Sequence, residues 1–123
     1  MRQAGAALDL AAVAVFVTIG RAVHTDGLTL PGLASTGWPF VSGLAAGWVA
    51  LSARHLPGTS VADGVLVLVS TVVIGMTLRV VSAQGIAFAF VLVALGFLGA
   101  AMIGWRVLFA FFRRPRFTGR AGR

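Results

Sequence analysis

The stretch that decides the fold is Gly20 to Phe40, GRAVHTDGLTLPGLASTGWPF, which is the chain's only extended polar link between long apolar runs. The rest of the chain consists of apolar sequence, two short connectors and a basic tail. The fold therefore depends on how four apolar segments are arranged around this link. We expect the link to lie on the outer surface of a membrane.

The composition excludes an ordinary soluble globule. Of 123 residues, 59% are apolar and 11% are charged, and the length allows one domain at most. The absence of cysteine excludes disulfides and thiolate metal sites. The net charge of +7 could suggest nucleic acid, but five of the ten arginines fall in the last eleven residues. That distribution is typical of a juxtamembrane tail beside anionic lipid headgroups, so we expect no nucleic-acid partner.

Four segments are long enough to cross a hydrocarbon core, which requires roughly 20 residues in a helix. A signal peptide is a weaker reading of the first segment, since one arginine precedes it and Asp9 lies inside it. The sequence predicts an all-α fold, an antiparallel bundle of four transmembrane helices over residues 1–112. A disordered basic cytoplasmic tail follows over 113–123. The predicted helices cover about 4–23, 34–53, 61–81 and 86–112.

Local signals refine these bounds. Pro39 is predicted to mark the start of the second helix, because proline is tolerated in a first turn. Ser60 and Asp63 have the spacing of an N-terminal cap for the third helix. Small residues four apart predict close helix packing in the second and fourth helices. They are Gly43 and Gly47, and then Gly96, Ala100 and Gly104.

Arginine counting predicts the orientation. With the N-terminus inside, Arg2, Arg54, Arg106 and the five tail arginines lie inside, and Arg21 and Arg79 lie outside. This bias of eight to two favours an N-in, C-in topology. Trp38 would then lie at the outer interface and Trp105 at the inner one.

A faint internal repeat relates the two halves of the sequence. Asp9 and Asp63 each precede an Ile-Gly pair by a similar distance, at Ile19-Gly20 and Ile74-Gly75. Gly-Trp occurs in the second and fourth segments. One hypothesis is therefore a duplicated two-helix hairpin, and biased composition is the alternative.

A set of short motifs covers nearly the whole chain. They are Gly20-Arg21 with His24, Gly27-Leu28, Trp38-Pro39-Phe40, Gly43, Gly47-Trp48, Gly75-Met76 with Leu78-Arg79, and Gly104-Trp105-Arg106. As a set they resemble the bacterial membrane family called domain of unknown function 3054 (DUF3054). The resemblance implies a small multi-pass four-helix protein of the bacterial inner membrane with no assigned function, and no catalytic or binding residues can be carried over from it.

Five residues are candidates for an ion or ligand site. Asp9 and Asp63 could handle a proton or cation, since ionisable groups inside spans are costly. Capping of the first helical turn, or pairing with Arg54 or Arg106, is the structural alternative. The other three are Arg21, Arg79 and His24, which together with Asp26 could bind an anionic group at the outer surface.

The outer arginines have a structural reading too. They could instead complement helix C-termini and extend to the interface. His24 and His55 lie on opposite surfaces in this topology, so we expect no metal site and no cofactor.

The sequence favours an accessory or structural protein that binds another membrane protein or lipid, with a homo-oligomer as one arrangement. The alternative is a minimal transporter or channel that uses Asp9 and Asp63. An enzyme is not expected, because no nucleophile and base or paired acids are recognisable.

Overall fold

The computed structural model describes residues 2–23, 27–84 and 88–113. These residues form four helices and no strand, which confirms the predicted all-α class. Their bounds are α1 Arg2–Val23, α2 Leu30–Ala53, α3 Val61–Val81 and α4 Phe88–Arg113. The basic tail from residue 114 lies outside the described residues, so its disorder stays a prediction.

The helices form a ring in which each one packs against two neighbours. α1 contacts α2 and α4, and α3 contacts the same two helices, with the α2–α3 contact the most extensive. Consecutive helices run antiparallel, as shown by the hydrogen bond from Arg2 near the start of α1 to Ser52 near the end of α2. The start of α1, the end of α2, the start of α3 and the end of α4 therefore meet at one end of the bundle, here called the Asp9 end.

Apolar side chains fill the centre of the ring. At its heart Phe16 meets Phe40 edge to face, with ring centroids 5.5 Å apart, and Phe90 and Phe97 pack beside them. The outside of the bundle is also apolar: Val49, Val73 and Leu92 are among many large side chains left exposed. A bundle that is apolar both inside and outside is suited to lipid as its solvent.

Three of the described helices are long and apolar enough to span a membrane: residues 2–22 of α1, all of α3 and all of α4. With 24 residues, α2 is long enough to span as well, but it is not among these three helices. Since α2 packs between α1 and α3, it belongs to the same bundle.

The prediction that Pro39 begins the second helix is wrong. α2 begins at Leu30, behind the N-cap Thr29 whose hydroxyl accepts a hydrogen bond from the Gly32 amide, and Pro39 lies inside the helix. Proline removes one helical N–H, which leaves the carbonyl four residues earlier, at Ser35, without its helical donor. The amide Nε2 of Gln84 donates to that carbonyl at 3.1 Å. Most of the stretch that we expected to be a polar link is therefore helical.

Gln84 reaches that position through a sharp turn at the end of α3. Ala83 has a φ of 64°, and the Ala83 and Gln84 amides donate to the carbonyls of Val80 and Arg79. This is the Schellman arrangement, here with alanine where glycine is usual. α2 ends in the same way, with His55 at a φ of 58°. At both turns a residue with a side chain has the positive φ that favours glycine.

The predicted small-residue packing is confirmed in α2. A Cβ added at Gly43 would lie 2.7 Å from the Ser70 carbonyl oxygen and 2.8 Å from the Thr71 Cα. The Ser70 hydroxyl donates to the Gly43 carbonyl at 2.7 Å. In α4 a Cβ at Gly96 or Gly104 would meet nothing within 4 Å, so these glycines make no close contact inside the bundle, and packing of this stripe against a second copy stays a prediction. The α4 stripe turns away from the other helices.

Candidate functional site

A fully buried ion pair joins the first helix to the last. Asp9 in α1 and Arg106 in α4 both have no solvent exposure, and Arg106 Nη2 lies 2.7 Å from Asp9 Oδ2. Arg106 Nη1 donates to Asp9 Oδ1 at 2.9 Å. The guanidinium therefore binds the carboxylate through two parallel hydrogen bonds, the strongest geometry for this pair.

Two tryptophans complete the shell around the carboxylate. Trp48 Nε1 in α2 donates to Asp9 Oδ2 at 3.0 Å, and Trp105 Nε1 in α4 donates to Asp9 Oδ1 at 2.9 Å. Asp9 thus accepts two hydrogen bonds on each oxygen, from α2 and α4. An indole has one N–H and no acceptor, so burial of these rings calls for an acceptor nearby.

Arg106 also binds the link before α3. Its Nε donates to the Gly58 carbonyl at 2.9 Å, and Nη1 also donates to the Met102 carbonyl at 2.9 Å. The Gly58 amide in turn donates to Asp63 Oδ2 at 2.9 Å. Asp9 and Asp63 are therefore connected through Arg106 and Gly58, and all four helices meet in one polar network, here called the Asp9 network.

Glycines make room for the large groups of this network. A Cβ at Gly64 would lie 2.5 Å from Arg106 Cδ, so α3 passes directly beside the arginine stem. Gly58 has a φ of +86°, and a Cβ there would collide with the Trp48 ring. At Gly5 a Cβ would lie 3.1 Å from Trp105. Glycine is needed at Gly58 for its backbone conformation and at Gly64 for space.

The two candidate aspartates have different structural roles. Asp63 is in the first turn of α3, where Ser60 is the N-cap and accepts from the Asp63 amide at 3.0 Å, so the predicted cap is confirmed. α1 has no acid in its first turn because it begins at Arg2, so capping is wrong for Asp9. The predicted alternative, in which Asp9 pairs with Arg106, is correct. The Arg54 side chain is exposed.

The shell around Asp9 limits its chemistry. Both oxygens are saturated by donors, and the bound guanidinium stabilises the negative charge where no water reaches. These four contacts tie Asp9 in α1 to α2 and α4.

At the opposite end the two outer arginines bind different neighbours. Arg21 Nε donates to the Gly27 carbonyl and Nη1 to Thr36 Oγ1, each at 2.7 Å. Arg79 Nη1 donates to Gln84 Oε1 at 3.2 Å. Its guanidinium also lies 4.7 Å from the Phe90 ring centroid. Whether the two arginines belong to one outer site stays a prediction.

The remaining candidates of the predicted outer site, His24 and Asp26, lie outside the described residues. His55 is exposed after the end of α2. Among the residues that the structure describes, no group of acids or histidines could hold a metal ion.

A groove of about 470 Å³ runs between α1 and α2 toward this opposite end. Thr18 is the polar side chain of a lining that is otherwise apolar and includes Leu10, Val17, Leu33 and Trp38. The predicted interfacial role of Trp38 stays a prediction, but its ring is 43% exposed. Trp105 donates its indole N–H to Asp9, and its predicted position at the inner interface also stays a prediction.

Sequence reasoning missed the partnership of Trp48 and Trp105 on one carboxylate, and the part of Gly58. The available signal was the Gly-Trp pair in both the second and fourth segments, since an indole N–H inside a span needs an acceptor. Asp9 is the first acid in the chain and could have supplied this acceptor.

The fold and the Asp9 network define a class: a small four-helix bundle of membrane type, held together at one end by a buried carboxylate. The chain belongs to the family described as Protein of unknown function (DUF3054), which it matches over residues 6–109. This match includes both Asp9 and Arg106. Comparisons with curated proteins and with solved structures found no match.

Proposed function

We propose that the protein is a non-enzymatic accessory or structural component of a membrane, which binds another membrane protein or lipid. The observation that carries this proposal is the saturated shell of Asp9, because this buried acid holds α1 to α2 and α4. Other molecules could bind to the apolar outer surface of the bundle or in the α1–α2 groove.

The alternative of a proton or cation transporter is weakened by the same contacts. Transport through Asp9 would require the carboxylate to exchange its guanidinium and both indoles for a proton or ion. Asp63 is buried in a helix cap and accepts from the Gly58 amide. Neither acid faces the α1–α2 groove.

An N-in, C-in topology in a bacterial cell membrane is part of the proposal. Arg106 is neutralised by Asp9, so removing it from the eight inner arginines leaves seven against two. Arg2, Arg54 and Arg113 are exposed at the Asp9 end, where the basic tail begins. These charges suit the anionic headgroups of the cytoplasmic leaflet.

The proposal is tested by purification in mild detergent followed by mass spectrometry, alongside proton flux in liposomes. We expect a stoichiometric membrane partner or retained lipid and no flux above that of empty liposomes. Flux that disappears in Asp63→Asn, with the variant's helicity unchanged, would establish the transporter instead. Arg54→Gln serves as the control, because it alters an exposed charge outside the Asp9 network.

A further inference from the structure

The part of α2 before Pro39 is packed far less tightly than the part after it. Of the seven buried residues of α2, six lie at or after Pro39, and Gly37 is the one that lies before it. In residues 30–38, here called the flap, Leu30 is 82% exposed and Trp38 is 43% exposed. A segment with few buried contacts opens at a lower free-energy cost than the core beside it.

Pro39 weakens the helix where the flap joins the rest of α2. Proline has no amide hydrogen, so the helical hydrogen bond to the Ser35 carbonyl is missing. The Ser42 hydroxyl donates to the Trp38 carbonyl at 2.8 Å, and a bond of this kind often bends a helix. These two features make the turn at Pro39 the point at which α2 bends most easily.

Side chains from other parts of the fold hold the flap from two sides. From the end of α3, Gln84 Nε2 donates to the Ser35 carbonyl at 3.1 Å. From α1, Arg21 Nη1 donates to Thr36 Oγ1 at 2.7 Å. Gln84 is itself positioned by Ala83, whose φ of 64° is strained for a residue with a side chain. The bond from Gln84 to the flap therefore depends on a strained turn.

The space beside the flap lies on its α1 side. Five of the six α2 residues that line the groove of about 470 Å³ belong to the flap, and Val41 is the sixth. The facing wall is α1, from Leu10 to Thr18. A tilt of the flap toward α1 would narrow the groove, whereas the bond from Gln84 holds Ser35 toward the end of α3.

We propose that the flap pivots at Pro39 and closes the groove against α1, and that Gln84 is the latch that holds it open. Closure breaks the bond from Gln84 to Ser35 and keeps the bond from Arg21 to Thr36, which already joins the flap to α1. The latch therefore decides whether another molecule can enter the groove. The motion belongs to the chain itself and needs no bound partner, so it and the proposed function can fail separately.

The motion is measured as distances between pairs of spin labels on the full chain in lipid nanodiscs. The sequence has no cysteine, so introduced cysteines carry the labels without background. Leu30→Cys with Val73→Cys joins the flap to α3, and both positions are exposed. Val49→Cys with the same Val73→Cys is the matched control, because Val49 is an exposed residue of α2 beyond Pro39.

Two variants act on the latch and on the pivot. Gln84→Glu keeps the oxygen that accepts from Arg79 but removes the donor to Ser35. It should shift the flap pair toward a longer distance by about fivefold in population, the effect of one lost hydrogen bond. Pro39→Ala restores the helical donor and should leave the flap pair at the shorter distance. The Val49 pair should keep one distance throughout.

Circular dichroism establishes that each variant is helical, and Gln84→Met replaces Gln84→Glu if the latter is not. One distance for the flap pair, identical in the wild type, Gln84→Glu and Pro39→Ala, would overturn the proposal. A change of equal size in the Val49 pair would overturn it as well, since α2 would then move as a whole and not at Pro39.

Discussion

At the scale of single residues, Asp9 is held by four hydrogen bonds with no solvent exposure. A carboxylate with no solvent exposure is tolerated because a guanidinium and two indoles surround it. A buried pair of this kind adds little net stability compared with apolar residues, but removal of one partner leaves an uncompensated charge. The Asp9 network should therefore be sensitive to single changes and tolerant of paired ones.

Arg106→Met is predicted to destabilise the protein by about 3 kcal/mol, because it leaves a buried carboxylate facing two indoles alone. The measurement is the unfolding midpoint in detergent, converted to a free energy of unfolding. The double variant Asp9→Asn with Arg106→Met should recover part of the loss, since it removes both charges.

Arg54→Gln provides the control for this experiment, because Arg54 is exposed and lies outside the Asp9 network. Its midpoint should equal that of the wild type. A midpoint for Arg106→Met that also stays unchanged would mean that the ion pair does not contribute to the fold in membrane-like surroundings.

At the scale of elements, Pro39 inside α2 is accommodated by the side chain of Gln84, which follows the end of α3. Gln84, set in place by the turn after α3, donates to the carbonyl that Pro39 leaves without a helical donor. Its Oε1 accepts from Arg79, so one side chain connects the end of α3 with the second turn of α2.

Gln84→Leu is predicted to cost about 1 kcal/mol, since it leaves the Ser35 carbonyl without this donor. In a Pro39→Ala background the helix supplies its own N–H to Ser35, so the same change should cost less. A double-mutant cycle on unfolding midpoints measures the difference, and the lost Arg79 contact cancels between the two backgrounds. Strictly additive effects would contradict this account of Pro39.

The contact between α2 and α3 depends on close approach at Gly43. Gly43→Ala is predicted to destabilise the protein by about 2 kcal/mol, because the new Cβ meets backbone atoms of α3 that cannot rotate away. Gly96→Ala is the matched control: it is also a helical glycine, but a Cβ there meets nothing within 4 Å. That control should be neutral or raise the midpoint slightly, through the higher helix propensity of alanine. Equal effects of the two changes would show that backbone entropy, and not close packing, explains Gly43.

At the scale of the whole molecule, the charged ends of the bundle differ. The Asp9 end carries exposed arginines at Arg2, Arg54 and Arg113, while both of its described acids are buried. At the opposite end Arg21 and Arg79 are held by neighbouring polar groups. This asymmetry is the physical basis of the proposed orientation.

Reporter fusions are predicted to place residue 123 and the link after Arg54 in the cytoplasm, and the link at residues 27–29 on the outer side. Fluorescent-protein and alkaline-phosphatase fusions at each site give opposite signals, which provides an internal control. An exported carboxyl terminus would reverse the orientation without altering the bundle.

The hypothesis of a duplicated hairpin stays a prediction. Trp48 and Trp105, which the repeat would make equivalent, both donate to Asp9. However, Val49 stands after Trp48 where Arg106 stands after Trp105, so the Asp9 network itself is not symmetric. If the two hairpins are a repeat, they differ at the Asp9–Arg106 ion pair.

The sequence by itself determined the number and nature of the helices and the bounds of α3, whose cap at Ser60 and length follow from local signals. Hydropathy and caps are properties of neighbouring residues, so they can be read along the chain. Only the tertiary structure decided that Asp9 pairs with Arg106, 97 residues away, and that Gln84 stabilises a proline within α2. Such pairings depend on which helices are adjacent in the ring and on how each is rotated, and no local pattern of residues specifies either.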